Sequence, residues 1–193
     1  MPYLENIICA INSNYNGVFT DKKFKNSRAF GLTDSINRKV NDKVETIPAK
    51  LINGDYIYVG ADDTYNLTYY HKLYSNSYSL IPNTSYGRSI GMEKCTSEVG
   101  IVVFGLKDRL DVSQYELEKI FNQYLLKKVD KPTLIGLKLN VVIINATSST
   151  MDMSVVFNNE YKGIEPFLNE RHIMFELKYK IEASYKKECF PTC

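Results

Sequence analysis

The stretch FELKYKIEASYKKECF, residues 175–190, sets the strongest constraint on what this chain can fold into. From Ile173 the odd positions run Ile, Phe, Leu, Tyr, Ile, Ala, Tyr, while the even positions between them are Met174, Glu176, Lys178, Lys180, Glu182 and Ser184. Side chains of a strand point to alternate faces, so this period gives one apolar face and one face bearing charges of both signs. A long strand is required, with its apolar side on a core. The charged side needs an explanation of its own.

The rest of the chain supplies partners for that strand. Leu4, Ile7, Ile8 and Ile11 sit at i, i+3, i+4, i+7, which predicts an N-terminal amphipathic helix ending within 12–17. Residues 16–28 are polar and basic (Lys22, Lys23, Lys25, Arg28), so a flexible exposed loop is expected over 16–30. Thr33 or Asp34 is placed to cap a short helix through Asn41 that carries Ile36 and Val40. Residues 46–51 and 56–59 flank Asn53-Gly54, a hairpin signal. A turn at 60–63, a strand over 66–80 and a loop at 81–91 follow, making 52–92 an extended hairpin and loop region.

Residues 96–105 predict a strand through the apolar run IVVF. Ser113-Gln-Tyr-Glu116 is a capping box, followed by Leu117, Ile120, Phe121, Tyr124 and Leu125 on one helix face. Residues 137–144 predict another strand and 148–161 a short helix. Strand-rich blocks with few helices point to a single α+β domain over 1–193. Its sheet is expected to be mixed or mostly antiparallel, sandwich-like, with helices packed on one side.

Charge and motifs narrow the chemistry. The chain has 24 basic and 22 acidic side chains, a net charge of +2, which is too balanced to signal nucleic-acid affinity. The longest apolar runs, 101–104 and 141–144, fall far short of a membrane span, and no membrane association is expected. The opening MPYLENIICAI lacks a basic n-region and is interrupted by Glu5 and Asn6, so a reducing, cytoplasm-like compartment is expected. Cys9, Cys95, Cys189 and Cys193 lack metal-type C-x-x-C spacing. Cys189 and Cys193 with His172 form the one conceivable metal set, but idle thiols are the preferred reading.

Gly87-Arg-Ser-Ile-Gly91 matches G-x-S-x-G. A serine hydrolase built on Ser89 and His172 is therefore the enzyme alternative. However, that motif works as a strand-to-helix turn, and here a loop precedes it and a strand follows it. Asp62-Asp63 and Asp108/Asp111 sit beside turns or helix starts, where Asp is favoured locally. The expectation is a protein that is not an enzyme, with no cofactor and no metal.

Tyrosines are more suggestive. Tyr56, Tyr58, Tyr65, Tyr69, Tyr70, Tyr74, Tyr78 and Tyr86 crowd one third of the chain. Tyr is enriched at protein interfaces. The rival reading, base stacking on single strands, calls for interleaved cations, and only Lys72 lies between Tyr56 and Tyr86. The mixed charges of the last strand suit contact with a copy of the same chain, since each subunit offers both signs.

An N-terminal helix, the β-rich LTYYHKLYSNSY, the strand SEVGIVVFGLKD, a capped helix and VVFNNEY…FLNERHIMFELKYKIEASYKKECF together resemble the small neck and tail-completion proteins of tailed bacteriophages, in particular the tail-terminator-like group. The resemblance covers most of the chain through element order. It implies an α/β sandwich that forms a closed ring, hexameric in the terminators, joining the tail tube to the head–tail connector. Duplex DNA would pass through the lumen without sequence recognition. A twelve-fold portal adaptor ring is the alternative within the same class. The location implied is the virion, assembled in the bacterial cytoplasm. Expected subunit contacts are Glu176, Lys178, Lys180 and Glu182 with Tyr69, Tyr70 and Tyr74. Lys22, Lys23, Lys25 and Arg28 are expected to face the DNA channel or a neighbour.

Overall fold

The structure, a computed structural model, describes residues 2–16, 24, 26–59, 64–81, 92–125, 138–145, 160–161 and 172–186. Helix α1 (Pro2–Asn16) leads into β1 (Ser27–Val40), β2 (Lys43–Ile52), β3 (Asp55–Tyr58), β4 (Leu67–Ile81) and β5 (Met92–Leu106). The one-turn helix α2 (Lys107–Leu110) and helix α3 (Gln114–Leu125) follow, then β6 (Lys138–Asn145) and β7 (His172–Lys186). Among the described residues the strands form one seven-stranded sheet in the order β3-β2-β1-β4-β5-β7-β6. Only β1 and β4 run parallel; every other pair is antiparallel. The fold is α+β with a mainly antiparallel sheet, as the alternation and the few helical stripes predict.

Both long helices lie on one face. The stripe Leu4, Ile7, Ile8 and Ile11 of α1 is buried, together with Leu117 and Phe121 of α3. Beneath them lie the odd positions of β7, from Ile173 to Ala183, all buried as the period-two pattern requires. Phe121 stands edge-on to both Tyr69 and Phe175, at centroid separations of 5.3 and 5.8 Å. Such T-shaped pairs add to plain area burial. Gly105 lets α2 come down on the sheet, because a Cβ there would lie 2.5 Å from Leu110 Cδ1. The capping box forms as the sequence predicts. The Glu116 amide donates to Ser113 Oγ at 3.2 Å, and the Ser113 amide donates to Glu116 Oε2 at 2.9 Å.

The expected helix from Thr33 to Asn41 does not exist. Those residues extend β1, which pairs with β2 from Asp34↔Ala49 to Val40↔Lys43. The turn between them is Asn41-Asp42, both left-handed at φ 47° and 64°. Asn and Asp tolerate this conformation, and two such residues in succession give a hairpin turn whose twist matches its strands. Asn53-Gly54, at φ 53° and 92°, closes the β2–β3 hairpin in the same way, as expected. Of the loop expected over 16–30, residues 17–23 and 25 lie outside the described residues, and the described ones depart from it. Helix α1 runs to Asn16, Arg28 lies in β1, and Phe24 is buried in the core. Within the region 52–92, residues 82–91 lie outside the described residues, as do 126–137 and most of the helix expected over 148–161.

Candidate assembly surface

The even face of β7 looks away from the helices, and its environment changes row by row. Antiparallel register places Met174 beside Phe104, Glu176 beside Val102 and Lys178 beside Gly100 on β5, with Thr68, Tyr70 and Lys72 next along on β4. The first two rows are covered. A second apolar cluster gathers Phe30, Val59, Tyr70, Val102, Phe104 and Tyr161, with Ile57 and Met174 packed against it. Tyr70 stacks on Phe104, and its hydroxyl meets that of Tyr161 at 3.3 Å. Burial, reinforced by the Tyr161 hydroxyl, pushes the Tyr70 phenol well above its ordinary pKa.

Glu176 is therefore not part of an open polar face; it is 6% exposed. Its partner is Tyr74, which shares the outer face of β4 with Tyr70 and Lys72 and sits at a β-bulge between Leu73 and Ser75; the Tyr74 hydroxyl donates to Glu176 Oε1. Gly100 makes room for this pair, since a Cβ there would collide with the carboxylate and the tyrosine ring. The ammonium groups of Lys72 and Lys178 sit over the Tyr74 ring at 4.7 and 4.3 Å, and Lys72 also pairs with Glu160. Burial, then the bonded carboxylate, raises the Tyr74 pKa.

Beyond this row the face opens to solvent. Lys178 is exposed and Lys180 and Glu182 are half-exposed. Glu182 pairs with Lys180 at 3.0 Å and with Lys94 across the strands at 3.5 Å. The Lys180 hydrogen bond, joined by Lys94, holds the Glu182 carboxyl below the usual range. Of the seven residues expected at subunit contacts, then, Lys178, Lys180, Glu182 and Tyr74 reach the surface. Tyr69 and Tyr70 do not: one is sealed beneath the helices and the other beneath the second cluster.

The basic set is only partly placed. Lys22, Lys23 and Lys25 lie outside the described residues. Arg28 is half-exposed, with its guanidinium 4.4 Å from the Phe30 ring centroid and 5.1 Å from that of Tyr65. Ser89, Asp62, Asp63, Cys189 and Cys193 are likewise outside the described residues; of the hydrolase and metal sets only His172 is described, half-exposed at the start of β7 beside Leu106. Among the described residues no group of three or more His, Cys, Asp or Glu is positioned to hold a metal ion. No helix among them is long and apolar enough to cross a membrane.

His71, one of the two histidines, is fully buried at the junction of α1, β4 and β7. Asn12 on α1 donates from Nδ2 to the Phe30 carbonyl at 3.1 Å, which leaves its Oδ1 to accept from His71 Nε2 at 2.8 Å. His71 Nδ1 then accepts from the Tyr179 hydroxyl at 2.7 Å. The ring is thus fixed as the neutral Nε2–H tautomer. Burial, with a smaller push from the Lys50 ammonium, lowers its pKa to about 3.

The most solvent-exposed regular structure is one that the sequence pattern does not announce. Beyond Thr33↔Lys72 nothing among the described residues pairs with the outer edge of β1, and β3 joins β2 only from Ala49 onward. Residues 34–47 with their turn form a two-stranded arm that parts from β4, which itself runs on past Lys72 to Ile81 in its pairing with β5. Arg38 Nε donates to Glu45 Oε2 at 2.9 Å and Thr46 Oγ1 to Asn37 Oδ1 at 2.8 Å across the arm. Its apolar side chains are poorly covered toward the tip, where Val44 is 65% and Val40 37% exposed, whereas Ile47 at the base is buried. No protein-family model matches this chain, and no curated protein matches it either.

Proposed function

We propose that this chain is a structural subunit that assembles with copies of itself into a closed ring in the neck or tail of a tailed phage, where it joins the tail tube to the head–tail connector. The arm is the observation that carries this reading. Unpaired strand edges invite pairing with another chain, and toward the arm's tip neither edge has a strand partner among the described residues. Closed rings are built from heterologous contacts, which need two different surfaces on each subunit. The two edges of the arm and the mixed-sign patch Lys94, Lys180 and Glu182 meet that need. The resemblance of element order to tail-terminator-like proteins points the same way.

The function expected of such a ring is mechanical: it ends tube growth and leaves a lumen through which duplex DNA passes without its bases being read. Its partners are then its own copies, the tail tube and the connector, and its place is the virion. Electron microscopy of the purified protein at high concentration tests the reading. Annular particles with a central opening are expected, six-fold for a terminator and twelve-fold for a portal adaptor. A field of single-chain particles would refute it.

A further inference from the structure

We infer that Arg28 and Thr68 form an oxyanion site on the outer face of the sheet, where β1 and β4 run parallel, and that the group it takes is a phosphate. The site is complete within one chain and stands whether or not the chain forms a ring.

Register brings the two residues together. Arg28 on β1 and Thr68 on β4 are cross-strand partners, with Ser27↔Leu67 before them and Ala29↔Tyr69 after them. Leu67 and Tyr69 belong to the core beneath the helices, so Arg28 and Thr68 share the opposite face, with Phe30, Tyr70 and Phe104. Two rings hold the Arg28 guanidinium: its Cζ lies 4.4 Å from the Phe30 centroid and 5.1 Å from that of Tyr65. Stacking of this kind fixes the guanidinium plane and leaves the N–H donors at its edge for a fork of bonds to an anion. Among the described residues no side chain or carbonyl accepts from those donors, and the residue is half-exposed.

Thr68 supplies the second observation. It is 3% exposed, and its buried hydroxyl has no hydrogen-bond partner. A buried polar group left unpaired is destabilising and calls for an explanation, an ion among them. Thr68 lies between Phe104 on β5 and Arg28 on β1, so the guanidinium is its polar neighbour across the strands, yet the two do not bond. One oxyanion satisfies both, taking two N–H donors from the guanidinium edge and the hydroxyl after a turn about χ1. A phosphate has an oxygen to spare for the hydroxyl, whereas the fork engages both oxygens of a carboxylate.

Thermal melts of wild type, Arg28→Lys and Thr68→Val in phosphate and in chloride of matched ionic strength test the site. Phosphate strengthens many folds without binding to them, so the comparison between proteins carries the result. Wild type is expected to gain melting temperature along a saturating curve as phosphate is added. Arg28→Lys keeps the charge but loses the fork, and Thr68→Val loses the hydroxyl. Each is expected to weaken phosphate binding about tenfold or more. In chloride, Thr68→Val is expected to melt no lower than wild type, because it removes an unpaired group at nearly constant shape. A wild type that gains nothing, or an equal gain in all three proteins, refutes the site. A Thr68→Val protein that melts well below wild type in chloride refutes the unpaired hydroxyl and the site with it. NMR of the wild type needs no variant: the Arg28 Nε–Hε resonance is expected to move with added phosphate and not with added chloride. A resonance that ignores phosphate overturns the proposal. A short DNA duplex in place of inorganic phosphate separates the sources of the group. Movement with both assigns the site to phosphates that include a nucleic-acid backbone, and movement with inorganic phosphate alone assigns it to the free ion.

Discussion

Replacing His71 by Gln isolates a proton that the folded chain refuses to bind. The ring is neutral, buried and bonded at both nitrogens, and its pKa is lowered to about 3, while an unfolded histidine titrates near 6.5. Because the folded pKa lies below the unfolded one, the unfolded state takes the proton first as pH falls. Stability is therefore complete above about pH 6.5 and drains away between about 6.5 and 3. A tenfold difference in proton affinity is worth about 1.4 kcal/mol, so the full loss is about 5 kcal/mol, with close to 1.4 kcal/mol per pH unit in the middle of the window. Gln keeps an amide donor and acceptor but does not titrate. It costs about 1–3 kcal/mol at pH 7 through imperfect bonds to Asn12 and Tyr179. Urea melts at pH 7, 6, 5 and 4 read both effects. The wild-type curve should close on the variant by about 1.4 kcal/mol per pH unit below pH 6. Parallel curves from pH 7 to pH 4 would refute the claim that His71 is held neutral.

Three further substitutions probe the packing. Gly105→Ala pushes a methyl against Leu110 and should lower the urea midpoint by the equivalent of about 1–3 kcal/mol, and an unchanged midpoint contradicts the close approach of α2. Ser113→Ala removes the cap of α3 and should cost about 1 kcal/mol, whereas a neutral result would show that the box contributes nothing. Tyr74→Phe strips Glu176 of its hydroxyl partner at a buried position and should cost about 1–3 kcal/mol. In a double-mutant cycle with Glu176→Gln the two losses should not add, and full additivity would rule the pair out.

Where local period and burial agree, the sequence is a reliable guide. The odd positions of β7, the α1 stripe and the capping box all follow from spacing alone. Ile36 and Val40 mislead because positions four apart share a face in both periods: four residues are two strand repeats and slightly more than one helical turn. The β-branched Thr33, Ile36, Val40 and Val44, with two residues able to turn left-handed between the strands, favour the hairpin that forms. Tyr69 and Tyr70 illustrate a different limit. Adjacent strand residues face opposite sides, and a run of tyrosines looks like surface if one side is open. Here Phe121 covers the first and Tyr161 meets the second, and neither contact leaves a trace in the local pattern. Glu176 reads as a surface charge for the same reason, since its partner Tyr74 lies two strands away and reaches it over the bare backbone of Gly100.

Native mass spectrometry of the wild-type protein bears most directly on the central claim that the chain works by joining copies of itself. The account predicts one dominant species at six or twelve times the mass of a single chain. A spectrum that holds only the single chain at the highest attainable concentration would contradict it.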